Sequence, residues 1–122
     1  MRILLVEDHD DTADAFALLL SAIGHQVQLA RRGADALSLS AAQPFDLLIS
    51  DLGLPDLNGW DLLVEVRKLQ PRIRAIALSG FSQPDDVDRS VRAGFSLHLA
   101  KPVTLDQVVK AIDAITRVPA DG

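Results

Sequence analysis

The chain has 122 residues, 48% of them hydrophobic and 24% charged, with a formal net charge of -5 from 12 basic and 17 acidic residues. These figures bound it to one ordinary domain, 1–122, and exclude disorder, low complexity and a basic surface that grips a nucleic-acid backbone regardless of sequence. The absence of cysteine removes disulfides, thiolate nucleophiles and Cys-based zinc sites and fits a reducing, cytoplasmic setting.

Ile3-Leu4-Leu5-Val6 reads as a strand covered on both faces, β1 (2–7), ending in Glu7-Asp8. Ala13, Phe16, Leu20 and Ile23 recur at helical spacing from Asp10, a candidate N-cap, to Gly24, a helix stop, and define α1 (10–23). The apolar stretch Ala15 to Leu20 within it is far shorter than the roughly 18 to 20 residues of a membrane span, and Met1-Arg2 leads straight into a strand, so neither export nor membrane contact is expected. Val27 and Leu29 alternate with polar neighbours in β2 (25–30), followed by a short α2 (33–42) and a third apolar run, β3 (45–50), that stops at Asp51. Turn formers fill Gly53 to Gly59 before α3 (58–69). The scheme repeats with β4 (73–78), α4 (84–93) between Pro84 and Gly94, β5 (96–100) and α5 (104–117), whose start Thr104-Leu105-Asp106-Gln107 matches a capping box. No linker or second domain is signalled.

Five strands alternating with five helices imply a parallel sheet between two helical layers, a flavodoxin-like (βα)5 α/β sandwich of strand order 2-1-3-4-5. Its binding crevice lies beyond the carboxyl ends of the strands, where four apolar runs end in polar groups: Glu7-Asp8, Asp51, Ser79 and Lys101. The carboxylates of Glu7, Asp8 and Asp51 repel pairwise by roughly 4 kcal/mol at ~4 Å and an effective dielectric near 20. A hard divalent cation relieves that repulsion, and magnesium takes one or two carboxylates together with waters and phosphate oxygens. Asp8 and Asp51 are the direct ligands of that scheme. Asp51 is also a carboxylate nucleophile toward phosphorus, Lys101 a compact positive charge for a phosphoryl oxygen, and Ser79 a hydroxyl donor.

The same residues resemble the receiver family of two-component signalling over essentially the whole chain. The shared pattern is Glu7-Asp8 after β1, Asp51 after β3 followed by Pro55 and Gly59, Ser79 after β4 and Lys101-Pro102 after β5. The resemblance implies phosphorylation of Asp51 from a phosphohistidine of a histidine kinase or phosphotransfer domain. It implies magnesium held by Asp8, Asp51 and the backbone carbonyl of Gly53, with Glu7 acting through water, and Lys101 and Ser79 on the phosphoryl group. It further implies a switch position at His98, a cis bond between Lys101 and Pro102, and a downstream protein partner on the α4-β5-α5 face.

Three positions depart from the commoner pattern: Gly53 replaces a larger side chain, Gly80 follows Ser79 in place of alanine, and His98 stands for an aromatic. A bare Gly53 leaves shielding of an acyl phosphate more dependent on Phe81. The segment Gly94 to Val103 looks most like receivers of hybrid sensor histidine kinases, against a stand-alone regulator. Rival functions are a magnesium-dependent hydrolase, disfavoured because Asp51-Leu52-Gly53 lacks the Asp-x-Asp pair, a flavodoxin-like binding module, and a receiver that binds partners without phosphorylation. His9 and His25 have no partners at metal spacing, and Trp60 reads as packing.

Overall fold

The computed structural model describes residues 1–80 and 84–116. Five parallel strands, β1 (Arg2–Val6), β2 (Gln26–Ala30), β3 (Leu47–Asp51), β4 (Arg74–Ser79) and β5 (Leu97–Ala100), form one sheet of order β2-β1-β3-β4-β5. The helices α1 (Asp10–Ala22), α2 (Gly33–Ala42), α3 (Gly59–Leu69), α4 (Pro84–Ala93) and α5 (Leu105–Thr116) alternate with them. The helices divide between the two faces of the sheet, α2 and α3 on one and α1 and α5 on the other, as the β2-β1-β3 order requires.

Strand pleating sorts the core. Alternate residues point to opposite faces, so Leu4, Val6, Leu48, Ala75 and Ala77 pack with α2 and α3, whereas Ile3, Leu5, Leu47, Ile49, Ile76 and Leu78 pack with Leu20 of α1 and Val108, Ile112 and Ile115 of α5. Each of these large aliphatic side chains contributes about 1.5 to 3 kcal/mol on burial.

Several element ends differ from the sequence expectation, each for a local reason. β3 starts at Leu47 and runs through Asp51, and β4 runs through Ser79, because Asp51 pairs with Leu78 and Ser79 with Ala100 in the ladder. The polar residues therefore terminate the strands from within. β1 ends at Val6, although Glu7 N still donates to Ala30 O at 3.0 Å. The N-cap of α1 is His9, which makes no side-chain capping bond, and Asp10 is the first helical residue. Ile23 is the C-cap of that helix and is 50% exposed, so the buried stripe ends at Leu20. β2 and β5 each begin one residue later than expected, at Gln26 and Leu97. Asn58 lies outside α3 as its N-cap, accepting from Asp61 N, and Thr104 stands just before α5. Thr104 Oγ1 accepts from Gln107 N at 3.2 Å and Gln107 Oε1 from Thr104 N at 2.9 Å, the reciprocal capping box. Gly24 and Gly94 close α1 and α4 with φ of 103° and 109°, a conformation side chains disfavour. Arg117, expected to end α5, lies outside the described residues.

Gly59 opens α3 beneath the end of β3, where its amide donates to Leu52 O at 2.9 Å. A Cβ there would lie 2.6 Å from Asp51 O and 2.9 Å from Leu52 Cα, both backbone atoms. Gly59→Ala is therefore expected to destabilise the fold by about 1 to 3 kcal/mol through overpacking. Gly80→Ala, whose Cβ meets nothing within 4 Å, is expected to stay within about 0.5 kcal/mol of wild type; urea denaturation of the two variants checks the contrast.

Candidate functional site

The site gathers at the carboxyl ends of β1, β3 and β5. Glu7 continues the face of Ile3 and Leu5, Asp51 that of Leu47 and Ile49, and Lys101 that of Leu97 and Leu99. The three side chains therefore project on the same side of the sheet, toward α1 and α5. Lys101 Nζ donates to Asp51 Oδ2 at 2.8 Å and to Glu7 Oε2 and Oε1 at 3.0 and 3.3 Å. Glu7 and Asp51 are buried, at 1% and 5% exposure. Burial disfavours the charged lysine, but the hydrogen bonds and charges of Asp51 and Glu7 outweigh it and raise the Lys101 pKa above the ordinary lysine value.

Asp8 stands beside this pair. One ligand atom from each of Glu7, Asp8, His9 and Asp51 lies within 4.8 Å of the others. Asp8 Oδ1 is shielded from solvent yet accepts no hydrogen bond, with His9 Nδ1 at 3.3 Å. A shielded carboxylate oxygen without a donor, next to two more carboxylates, is a donor set that fits a hard cation. His9 takes part as well: its Nδ1 lies 2.9 Å from Glu7 Oε1, and that bond, with the charges of Asp8 and Glu7, raises its pKa. A partner for His9 is not legible at metal spacing, because its contacts are made through the turn that follows β1.

Gly53 is exposed, and its amide donates to Asp51 Oδ1 at 3.1 Å. An isolated antiparallel bridge joins it to Asn58 and closes the loop after β3. Ser79 is fully buried at the end of β4, and its carbonyl accepts from Lys101 N at 2.8 Å. It shares the α2-α3 face with Ala75 and Ala77, and His98, paired with Ala77, shares it too. Ser79 and His98 are thus on the opposite side of the sheet from Lys101. The Lys101-Pro102 bond is cis. Phe81 lies outside the described residues.

Two contacts that fix the surroundings have no sequence signature. Asp56, in the loop after β3, accepts from Gly33 N at 2.9 Å and Ala34 N at 3.0 Å and so caps α2 from another part of the chain. Those two bonds lower its pKa below the usual carboxylate value, so its contribution to stability is lost only as pH falls through that lowered value. Gln70, after α3, reaches Ser40 O, Gln43 O and Phe45 N at 2.8 to 2.9 Å and ties the end of α2 to the approach to β3. Asx and Gln side chains of this kind are recognisable only once the fold brings their targets near.

Replacing Lys101 removes the ammonium held between the buried Glu7 and Asp51 carboxylates, and Lys101→Met is expected to lower the unfolding free energy by about 1 to 3 kcal/mol at pH 7. Because the folded-state pKa is raised, the stabilisation is fully present below the unfolded lysine value of about 10.4 and is lost as pH rises through the folded value. Urea denaturation across the alkaline range checks both the loss and its absence in Lys101→Met.

The family model described as response regulator receiver domain matches residues 3–113. The cell cycle transcriptional regulator CtrA of Caulobacter vibrioides is 32% identical over 117 residues, which cover 96% of this chain and 51% of that protein. The sensor histidine kinase RcsC of Escherichia coli is 30% identical over 112 residues, covering 92% of this chain and 12% of the kinase. The chain thus spans about half of the one and about an eighth of the other. Among solved structures, a CheY-like receiver domain protein of Methanospirillum hungatei superposes with a TM-score of 0.89 at 28% identity, covering 95% of this chain and 93% of that one. A response regulator of Burkholderia pseudomallei, solved with a phosphorylated aspartic acid, calcium ion and citrate, gives a TM-score of 0.82 at 26% identity, covering 96% and 75%.

Proposed function

The chain belongs to the response regulator receiver domain family, the phosphoacceptor modules of two-component signalling, and from that premise we propose that Asp51 is its phosphorylation site. The observation that carries this reading is the seat of the Asp51 carboxylate, buried at a strand end with Lys101 on one oxygen and the Gly53 amide on the other. An Asp51 oxygen attacks the phosphorus of a partner's phosphohistidine; the phosphorus–nitrogen bond breaks and the imidazole leaves with the electron pair. Lys101 follows the charge, passing from the carboxylate to a phosphoryl oxygen, and Ser79 supplies a hydroxyl to the same group. Hydrolysis of the acyl phosphate by water returns the site to its start, so the domain contributes to its own phosphorylation and dephosphorylation without being an enzyme of the usual kind.

Asp8, Asp51 and the Gly53 carbonyl are the candidate magnesium ligands, with Glu7 acting through water, and the shielded, undonated Asp8 Oδ1 supports that assignment. Bound magnesium supplies charge neutralisation of the carboxylates and the incoming phosphoryl oxygens. The calcium ion and phosphorylated aspartate of the Burkholderia relative support the same chemistry in a protein of this fold. Residues 1–122 then form a single receiver, with the α4-β5-α5 face meeting a downstream protein, His98 as its switch position and Pro102 as a structural residue beside Lys101. Cytoplasmic placement agrees with this role, and no helix among the described residues is long and apolar enough to cross a membrane. The likeness to RcsC supports a hybrid-kinase setting, and that to CtrA a regulator setting.

Acetyl phosphate with magnesium is expected to add one phosphoryl mass to wild type and none to Asp51→Asn, read by intact-protein mass spectrometry. Equal modification of the two proteins overturns the assignment of Asp51. Lys101→Ala is expected to lose at least tenfold in modification rate, in line with removing a charge that stabilises the transferring group.

A further inference from the structure

The helix α4 is attached to the body in an unusual way. Its sequence, Pro84 to Ala93, places four charged side chains on its exposed surface, and its one buried residue is Ser90, fully enclosed. A buried hydroxyl without partners is destabilising, and Ser90 Oγ has two. Trp60 Nε1 of α3 donates to it at 2.9 Å, and His98 Nδ1 of β5 lies 2.8 Å away. One hydroxyl therefore joins its own helix to two other elements, through residues 30 and 8 positions away in sequence. Arg89, next along α4, stacks on the Trp60 ring at 4.1 Å from its centroid and adds a cation–π contact to the same junction.

The chemistry of these groups fixes the direction of the chain. An indole N–H only donates, so Trp60 occupies a lone pair of the Ser90 oxygen. Ser90 has one proton, and its other partner is His98 Nδ1. Among the described residues the acceptor within reach of that proton is His98 Nδ1, and the arrangement that satisfies the buried hydroxyl leaves Nδ1 unprotonated. A neutral His98 with Nδ1 accepting carries its proton on Nε2.

We propose that Ser90 is a positioning residue for His98: it selects the Nε2–H tautomer, holds the ring toward α4, and makes Trp60, Ser90 and His98 a single unit that rearranges together when the site is occupied. The functional half of this statement rests on Asp51 being the phosphoacceptor. The geometric half does not. His98 and Ser79 share one face of the sheet on neighbouring strands, so a movement of His98 toward the strand ends breaks its bond to Ser90 and leaves the indole N–H in an altered environment. Loss of Ser90 removes a contact made in the unoccupied arrangement, and site occupancy then becomes easier.

The test uses the whole chain and 15N NMR at neutral pH, with beryllofluoride and magnesium as the ligand. In the free wild type, the His98 ring nitrogens are expected to show an unprotonated Nδ1 and a protonated Nε2, and the Trp60 indole N–H a hydrogen-bonded shift. In Ser90→Ala, the tautomer preference is expected to relax and the indole resonance to move, while Ser90→Thr, which keeps the hydroxyl, restores both. Beryllofluoride is expected to move the indole resonance in wild type and to leave it nearly still in Ser90→Ala, which binds about three- to tenfold more tightly, the range of one lost hydrogen bond. A protonated Nδ1 in free wild type overturns the proposal whatever the ligand does. So does an indole resonance in Ser90→Ala that responds to beryllofluoride as in wild type with unchanged affinity. A wild type that fails to bind beryllofluoride instead sinks the phosphoacceptor reading and the functional half with it, and the tautomer measurement still decides the geometry. A loss of folding in Ser90→Ala is separated by His98→Phe, which keeps Ser90 and must also silence the indole response.

Discussion

The Lys101 ammonium between Glu7 and Asp51 is the contact on which the rest of the site depends. Two buried carboxylates on adjacent parallel strands are unfavourable without a counter-charge, and the lysine that relieves them comes from the far strand, β5. That arrangement requires the sheet to close the distance from β1 to β5 correctly, so strand order and site chemistry are one constraint. It also sets an exchange. On the function proposed above, the charge that now neutralises Asp51 is the one a transferred phosphoryl group would need, so occupying the site would redistribute the lysine's contacts.

The sequence revealed the acids, the lysine and the serine because each sits at the end of an apolar run, and the sheet order followed from the alternation of elements. Element ends were less visible, since Asp51 and Ser79 are ladder members despite being polar and a hydropathy pattern stops before them. Face assignment was hidden as well: the side of the sheet that Lys101 and His98 take depends on pleat parity, and parity is certain only once the register is known. Long-range polar contacts were the least visible. Asp56, Gln70 and Ser90 are ordinary residues until the fold brings a helix end, a carbonyl or an indole to them.

The helices differ in how they are held. α5 buries Val108, Ala111, Ile112 and Ile115, and α3 buries Leu62, Leu63 and Val66, so both are fixed by apolar area. α4 buries only a serine and is fixed by directional bonds. Apolar burial weakens gradually as surfaces slide, whereas a hydrogen bond is lost over a fraction of an ångström. A helix held in the second way has discrete positions, which is the property a two-state element requires.

The bond from Asp56 to the start of α2 ties the loop bearing Gly53 to a helix with a glycine and two serines among its ten residues. Four alanines and two leucines give the body of that helix good intrinsic propensity, and its first turn, opening on Gly33, is the end that the Asp56 carboxylate holds. The loop after β3 and the start of α2 are thereby fixed to each other. Fraying of the first turn of α2 would release this tie, so the order of the loop after β3 depends on a helix end that lies outside the site.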